Sequence, residues 1–367
     1  PLCVIYDWQE NEPFEFAAMK GKARPMEKKF YAVIGNPPYQ EEFNDEGNKT
    51  YAKPVYNDFM DAAEEVADRV ELITPARFLF NAGSTPKAWN AKKLADPHFA
   101  VLQYEADASR AFPNTDIKGG VAVSLYDSTR TLGPIGTYIP YDALRFIYEK
   151  VTRREGFSGF DSAVYTAYAY HFTDVLHSEN PDAVARMSKG HAYDLKSNIL
   201  EKLPDIFRRE KPDDGHEYIK VLGLVKMKRT YRFIRRDYVN EPDNLSKWKV
   251  IVPAANGSGA LGEVISTPLI GHTETFMSIG CFDTEEGAQS LLKYVKSKFA
   301  RVLFGILKTT QHNPPEKWKF IPLQDFTSAS DIDWSKSVPA IDQQLYAKYG
   351  FSDEEIDFIE SHVKEMN

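Results

Sequence analysis

The stretch that most narrows what this chain can fold into is FYAVIGNPPYQ, residues 30–40. A short run of β-branched and aromatic residues reads as a strand, and it stops against two consecutive prolines. Proline fixes its own φ and keeps the residue before it out of the helical region, so Asn36-Pro37-Pro38-Tyr39 is stiff. Neither Pro37 nor Pro38 carries an N–H, so the segment presents carbonyl acceptors without competing backbone donors at those positions. Asn36 adds a side-chain carbonyl and Tyr39 a flat aromatic face. Two aimed acceptors beside a ring suit a planar substrate bearing an NH2 group. In α/β sheets such a loop sits at the carboxyl end of a strand, where ligands bind.

The chemistry can be taken one step further. An exocyclic amine such as adenine N6 is a poor nucleophile because its lone pair is delocalised into the ring. Accepting both N–H hydrogens, through Asn36 Oδ1 and the Pro37 carbonyl, favours a pyramidal nitrogen and localises that pair. A methyl sulfonium placed in line is then open to attack with no metal and no covalent enzyme intermediate, by positioning and electrostatics. In a duplex the amine lies inside the stack, so the nucleotide must be flipped out, with Tyr39 stacked on it.

The surrounding chain supports an α/β reading. LCVIYDW and FYAVIG read as short buried strands, residues 55–68 carry apolar groups at helical spacing, and VELITP, FAVLQYE and GGVAVSLYD read as further strands, the last entered through a glycine turn. Strands alternating with helices point to a parallel or mixed sheet. Beyond about residue 135 the pattern changes to helical stretches, a basic segment, and EEGAQSLLKYVKSKFARVLFGIL, which reads as one helix. A capping box, Ser352 with Glu355 three residues on, opens a terminal helix. The divisions expected are 1–135, a helical connection over 136–215, and a second domain over 216–367.

With 367 residues the chain is long enough for two domains, and its two cysteines provide neither a disulfide framework nor a zinc site. The eight histidines show no metal-binding spacing, so no metal is expected. No apolar run approaches a membrane span, and a reduced, cytoplasmic protein is the plain reading. The net charge of −8 argues weakly against nucleic acid, but the charges segregate. Seven cations and no carboxylate occupy the run from Lys220 to Arg236: Lys220, Lys226, Lys228, Arg229, Arg232, Arg235 and Arg236. Tyr218, Tyr231, Phe233 and Tyr238 are interleaved, a mix suited to phosphate contacts together with stacking.

VIGNPPY resembles the catalytic motif of S-adenosylmethionine-dependent adenine-N6 DNA methyltransferases, in particular the Eco57I-type modification methylases of bacterial restriction–modification systems. The resemblance implies a partial Rossmann-like methyltransferase sheet followed by a mixed α/β DNA-recognition domain. It implies S-adenosylmethionine as cofactor, double-stranded DNA as partner, and Asn36, Pro37, Pro38 and Tyr39 as catalytic residues. VYNDFMDAAEEVADRVELITPARFLF looks like the family's next helix and strand, whose aromatic residue, Phe59 here, lies against the cofactor adenine. SRAFPNTDIKGGVAVSLY resembles the later segment whose phenylalanine, Phe112 here, packs on the flipped base. VIYDW resembles the strand whose acidic residue, Asp7 here, lies near the cofactor adenine, although the charged FAAMKGKARPMEKK lengthens its spacing to Asn36. The basic residues Lys226, Lys228, Arg229, Arg232, Arg235 and Arg236 are the expected DNA contacts. The family's glycine-rich cofactor turn has no counterpart, which suggests a fragment, or an upstream segment or second polypeptide that carries the turn.

Two stretches imitate function without its context. GSGALG at 257–262 fits a dinucleotide fingerprint by letter, but a β-like segment follows it where a helix is required. HNPPEKW at 312–318 repeats Asn-Pro-Pro with Glu316 in place of the aromatic residue and no apolar strand before it, and reads as an ordinary turn. Two other functions stay open at this point. The same acceptor geometry suits a protein glutamine amide or RNA, and a DNA-binding module without independent activity would keep the motif.

Overall fold

A computed structural model of the chain describes residues 30–40, 53–115, 117–255, 264–307 and 312–366. Asp7 with its expected strand, and the GSGALG stretch, lie outside the described residues. The chain divides into two units, Pro1–Pro140 and Tyr141–Asn367. Residues 136–215, read as a helical connection, fall mainly in the second. Among the described residues no helix is long and apolar enough to cross a membrane.

In the first unit the elements run β1 (Phe30–Gly35), α1 (Tyr56–Val66), β2 (Ala67–Pro75), α2 (Lys87–Ala95), β3 (Phe99–Glu105) and β4 (Val121–Asp127). The strands lie in the order β1-β2-β4-β3. β1 and β2 are parallel, while β4 runs antiparallel to both of its neighbours. The sheet is therefore mixed α/β, as the alternation of patterns suggests. On β2, Val70, Leu72 and Thr74 alternate onto one face and all are buried. Val70 and Leu72 join Tyr56, Met60 and Ala63 of α1 in one core with Phe78 and Phe99. The amphipathic spacing of α1 thus closes one side of the sheet.

β1 departs from the buried strand that its composition suggests. Tyr31 is 68% and Ile34 76% exposed, because β1 has only β2 as a hydrogen-bonded neighbour among the described residues. The glycine turn into β4 is sterically required. Gly120 has φ +75°, and a Cβ there would stand 2.2 Å from the Glu105 carbonyl oxygen. This turn closes the loop that carries Phe112 from β3 to β4.

The second unit contains α3 (Asp142–Thr152), β5 (Val164–Tyr165), α4 (Asp174–Glu179), α5 (Pro181–Ala185), α6 (Ile199–Lys202), β6 (Tyr218–Val225), β7 (Lys228–Arg235), β8 (Trp248–Pro253), β9 (Val264–Ser266), β10 (Ile270–His272) and β11 (Phe276–Phe282). Helices α7 (Glu285–Lys296), α8 (Lys298–Leu307), α9 (Val338–Tyr349) and α10 (Asp353–His362) follow. Its strands form two sheets, β10-β6-β7 and β5-β11-β8-β9.

The single helix expected over EEGAQSLLKYVKSKFARVLFGIL is two helices. Ser297 takes an extended conformation, φ −59° and ψ 146°, and its hydroxyl accepts the Ala300 N–H at 3.1 Å. The buried Asp342 carboxylate from α9 accepts the N–H groups of Lys298 and Phe299 at 3.0 and 2.9 Å. These acceptors satisfy donors that open the second helix, which makes a break less costly than the local pattern suggests. The expected capping box at Ser352 and Glu355 is present on α10.

Candidate functional site

Asn36-Pro37-Pro38-Tyr39 follows β1 directly, and the register Gly35↔Leu72 sets it beside the C-terminal end of β2. The Val55 N–H donates to the Tyr39 carbonyl at 3.2 Å, which ties the loop to the start of α1. Asn36 is exposed and Pro37 buried. No hydrogen bond among the described residues involves the Asn36 side chain. The amide is therefore held outward on a rigid base, with its acceptor open to a ligand.

Tyr39 is packed partly against the core of the first unit. Its hydroxyl is buried and has no hydrogen-bond partner among the described residues. Burial pushes the phenol up to about 12, so it stays neutral near pH 7. The structure brings Phe112 to it: the two ring centroids are 6.5 Å apart at an interplanar angle of 74°. Two rings that sandwich a base present parallel faces. At 74° one ring can stack while the other meets the base edge-on.

Two polar residues at the same end of the sheet were not legible as site residues. Thr74 lies two positions beyond Leu72 on β2 and is 0% exposed, and its hydroxyl has no partner among the described residues. Asn57, in the first turn of α1, is 6% exposed; its Nδ2 donates to Asp58 at 2.8 Å, but its Oδ1 accepts nothing. A buried polar atom left unpaired costs about 1–3 kcal/mol, so Tyr39, Asn57 and Thr74 each call for a polar ligand or ordered water. The sequence signal was there for Thr74, a hydroxyl in a position whose alternation with Val70 and Leu72 calls for an apolar residue. Phe59 is buried within α1 at 8% exposure. Asp7 lies outside the described residues.

In the second unit the basic run folds into an antiparallel hairpin, β6–β7, paired from Tyr218↔Arg235 to Val225↔Lys228. Lys226 and Lys228 gather at its tip and are exposed, while the exposed Arg229 carries its guanidinium over the Phe276 ring, 5.7 Å from the centroid. Arg232 lies further along β7 and donates to the Tyr231 carbonyl at 2.9 Å. Lys220 sits over the Phe233 ring, 5.5 Å from its centroid.

Arg235 and Arg236, grouped by sequence with the DNA contacts, stand at the opposite end and are engaged within the protein. Arg235 pairs with Glu179 at 2.7 Å and with Asp237, and Arg236 pairs with Glu217 at 3.1 Å and with Glu241. These carboxylates come from sequence positions outside the run, so the uninterrupted row of cations is not an uninterrupted positive surface.

The second Asn-Pro-Pro has a different fate. Asn313 is 0% exposed, its Nδ2 donates to the Pro253 carbonyl at 3.2 Å, and its own carbonyl accepts from Trp318 Nε1 at 3.2 Å. A 3-10 turn over Pro315–Lys317 follows, in agreement with the turn expected there.

Comparison with known proteins bears on the first of these regions. Residues 5–112 match the family model described as Eco57I restriction-modification methylase. The match spans the candidate loop, α1, β2 and Phe112. A search of curated protein sequences gives no match. Among solved structures the chain is similar to the type IIG restriction endonuclease BpuSI, at 12% identity and a TM-score of 0.38, covering 90% of this chain and 52% of that one. It is also similar to a nuclease-deletion mutant of the type ISP restriction-modification enzyme LlaGI in complex with a DNA substrate mimic, at 11% identity and a TM-score of 0.33, over 80% and 34% of the respective chains. The chain thus spans about half the length of the first structure and a third of the second, while the methylase family model meets it at its candidate site.

Proposed function

We propose that the chain takes part in methylation of adenine N6 in double-stranded DNA, with S-adenosylmethionine as donor, within a restriction–modification system. The observation that carries this reading is the outward Asn36 amide on a proline-stiffened strand end, with Tyr39 and Phe112 meeting edge to face beside it.

Asn36 Oδ1 and the Pro37 carbonyl accept the two N–H hydrogens of the target amine and localise its lone pair, which is charge stabilisation by fixed dipoles. Tyr39, anchored in the core and neutral, offers the stacking face. Phe112 contacts the extruded base through its edge. The bound donor supplies an electrophilic methyl group on a sulfonium. The strand end fits such a ligand, since Thr74 Oγ1 and Asn57 Oδ1 are buried there without partners among the described residues, and Asp7 and Phe59 are the residues that would hold its adenine. DNA is held by Lys226, Lys228, Arg229 and Arg232. Arg235 and Arg236 drop to a supporting role because of their ion pairs.

The test is labelled methyl transfer to duplex DNA by the native protein that contains this chain, with the product nucleoside identified by mass spectrometry. N6-methyladenine is expected. N4-methylcytosine would overturn the adenine assignment, and transfer to a glutamine peptide or to RNA in place of DNA would move the protein to another substrate class.

A further inference from the structure

We infer that Met227, at the tip of the β6–β7 hairpin, is a wedge that enters the DNA base stack and kinks the duplex; the inference rests on the DNA-binding reading above. The hairpin closes with the pair Val225↔Lys228, leaving Lys226 and Met227 as a two-residue turn. Both are left-handed, with φ +47° and +63°. A two-residue hairpin wants this conformation because it matches the twist of the strands, and Asn-Gly or Gly-Gly adopts it with least strain. Lysine and methionine gain nothing from it. A turn that holds strained residues where unstrained ones fit points to a task for their side chains.

What the turn displays is specific. Met227 is 86% exposed, more than any other large hydrophobic side chain among the described residues. An exposed apolar side chain is ordinary by itself; here it is held at the apex of a left-handed turn that a smaller residue would adopt with less strain. Lys226 and Lys228 flank it, and neither forms an ion pair among the described residues. Arg232 lies four residues beyond Lys228 on the same face of β7, about 14 Å along the strand. The tip is also held from below: the Glu201 carboxylate on α6 accepts the Lys226 N–H. A slender, polarisable thioether on a rigid arm, between cations that meet phosphates, has the form of the apolar wedges that part base steps. A lipid surface would call for a broader apolar face than one side chain.

The experiment uses the full chain, an end-labelled duplex whose resonance energy transfer reports bending, and binding by anisotropy over a salt series. Met227→Asn suits the left-handed position, so its melting temperature should equal or exceed that of the wild type. It should weaken binding about tenfold and abolish the bend while leaving the salt slope unchanged. Met227→Leu should keep the bend. Lys228→Gln should lower the log–log slope by about 0.9 and keep the bend. Wild-type affinity and bending in Met227→Asn, in a chain that binds DNA with the expected salt dependence, would overturn the wedge and leave DNA binding intact. Absence of salt-dependent DNA binding by the wild type would remove both. Met227-dependent binding to phosphatidylserine vesicles without any DNA bend would overturn the wedge in favour of a lipid surface.

Discussion

Two stretches of this chain spell Asn-Pro-Pro, and the fold uses them in opposite ways. At 36–38 the asparagine points outward at a strand end, while at 313–315 it is fully buried and donates to a neighbouring carbonyl. The prolines do the same work in both, fixing the backbone and removing donors. The environment of the amide differs. Asn313 fills its hydrogen bonding inside the protein and so serves the fold, whereas Asn36 leaves its acceptor for something else.

The most forceful way to break this comparison is to make the same substitution in both places. Asn36→Ala should reduce methyl transfer on the order of a hundred- to a thousandfold, the range for loss of one aimed dipole, with little change in unfolding free energy. Asn313→Ala leaves the Pro253 carbonyl without its donor and should cost about 1–3 kcal/mol of stability, with transfer per folded molecule preserved. Urea melts and single-turnover transfer rates measure the two effects. Equal loss of activity in both variants, or a large stability loss in Asn36→Ala alone, would mean that the two motifs do not divide fold from function.

The same contrast holds for buried polar groups more widely. In the first unit Tyr39, Asn57 and Thr74 carry unpaired atoms. In the second unit a buried chain of hydrogen bonds is paired from end to end. The Tyr170 hydroxyl donates to Asn244 Oδ1 at 2.9 Å, Asn244 Nδ2 donates to Ser278 Oγ at 3.0 Å, and Ser278 lies 3.2 Å from His272 Nε2. His272 Nδ1 lies 3.1 Å from the Thr273 carbonyl, so Nδ1 carries the proton and Nε2 accepts from Ser278. Every member has a partner, and the tautomer of a neutral imidazole follows from the chain of donors. A closed network rigidifies a core, while an open one invites a ligand.

Acid sharpens that distinction. Burial pulls His272 down to about 3, well below the ordinary value of about 6.5 that it regains on unfolding. Between those two values the unfolded chain binds a proton that the folded chain refuses. Stability is therefore insensitive to this group above about pH 6.5 and falls as pH drops toward 3, by up to about 1.4 kcal/mol per unit. Carboxylates also titrate below pH 5, so the measurement is the difference between wild type and His272→Gln in urea. The wild-type advantage at pH 7 should shrink by pH 5. A constant gap between the two would mean that the network stays open to a charged imidazole.

How far the sequence foretold all this depends on the range of the interactions involved. Periodicity placed α1, β3 and β4 almost to the residue, because those elements follow from which side chains must be buried. The NPPY loop was legible because proline acts on its own backbone and needs no distant partner. The break at Ser297 was not, since the Asp342 carboxylate that supports it lies over forty positions away. Asn57 escapes notice for a related reason, since a polar residue in a helix's first turn looks ordinary until its lack of a partner is visible; at Thr74 the alternation of β2 marks the position but not the missing partner. Arg235 and Arg236 read as part of one cationic surface because Glu179 and Glu217 approach only in three dimensions, and because the neutralising Asp237 and Glu241 lie just past the end of the run.

That last point compares the two ends of one hairpin, and it yields the smallest expected effect. Neutralising Lys226 and Lys228 together should lower the log–log salt slope of DNA binding by about 1.8, because each phosphate that is no longer neutralised takes about 0.9 from it. Arg235→Gln with Arg236→Gln should leave the slope within experimental error of the wild type, because guanidiniums paired with carboxylates release no counterions from DNA. The pairs are partly exposed and contribute little to stability, of order 0–1 kcal/mol each, so the folded chain remains available for the measurement. A slope that fell in the arginine variant as far as in the lysine variant would mean that phosphate displaces Glu179 and Glu241 on binding, and that the whole length of β7 lies along the duplex.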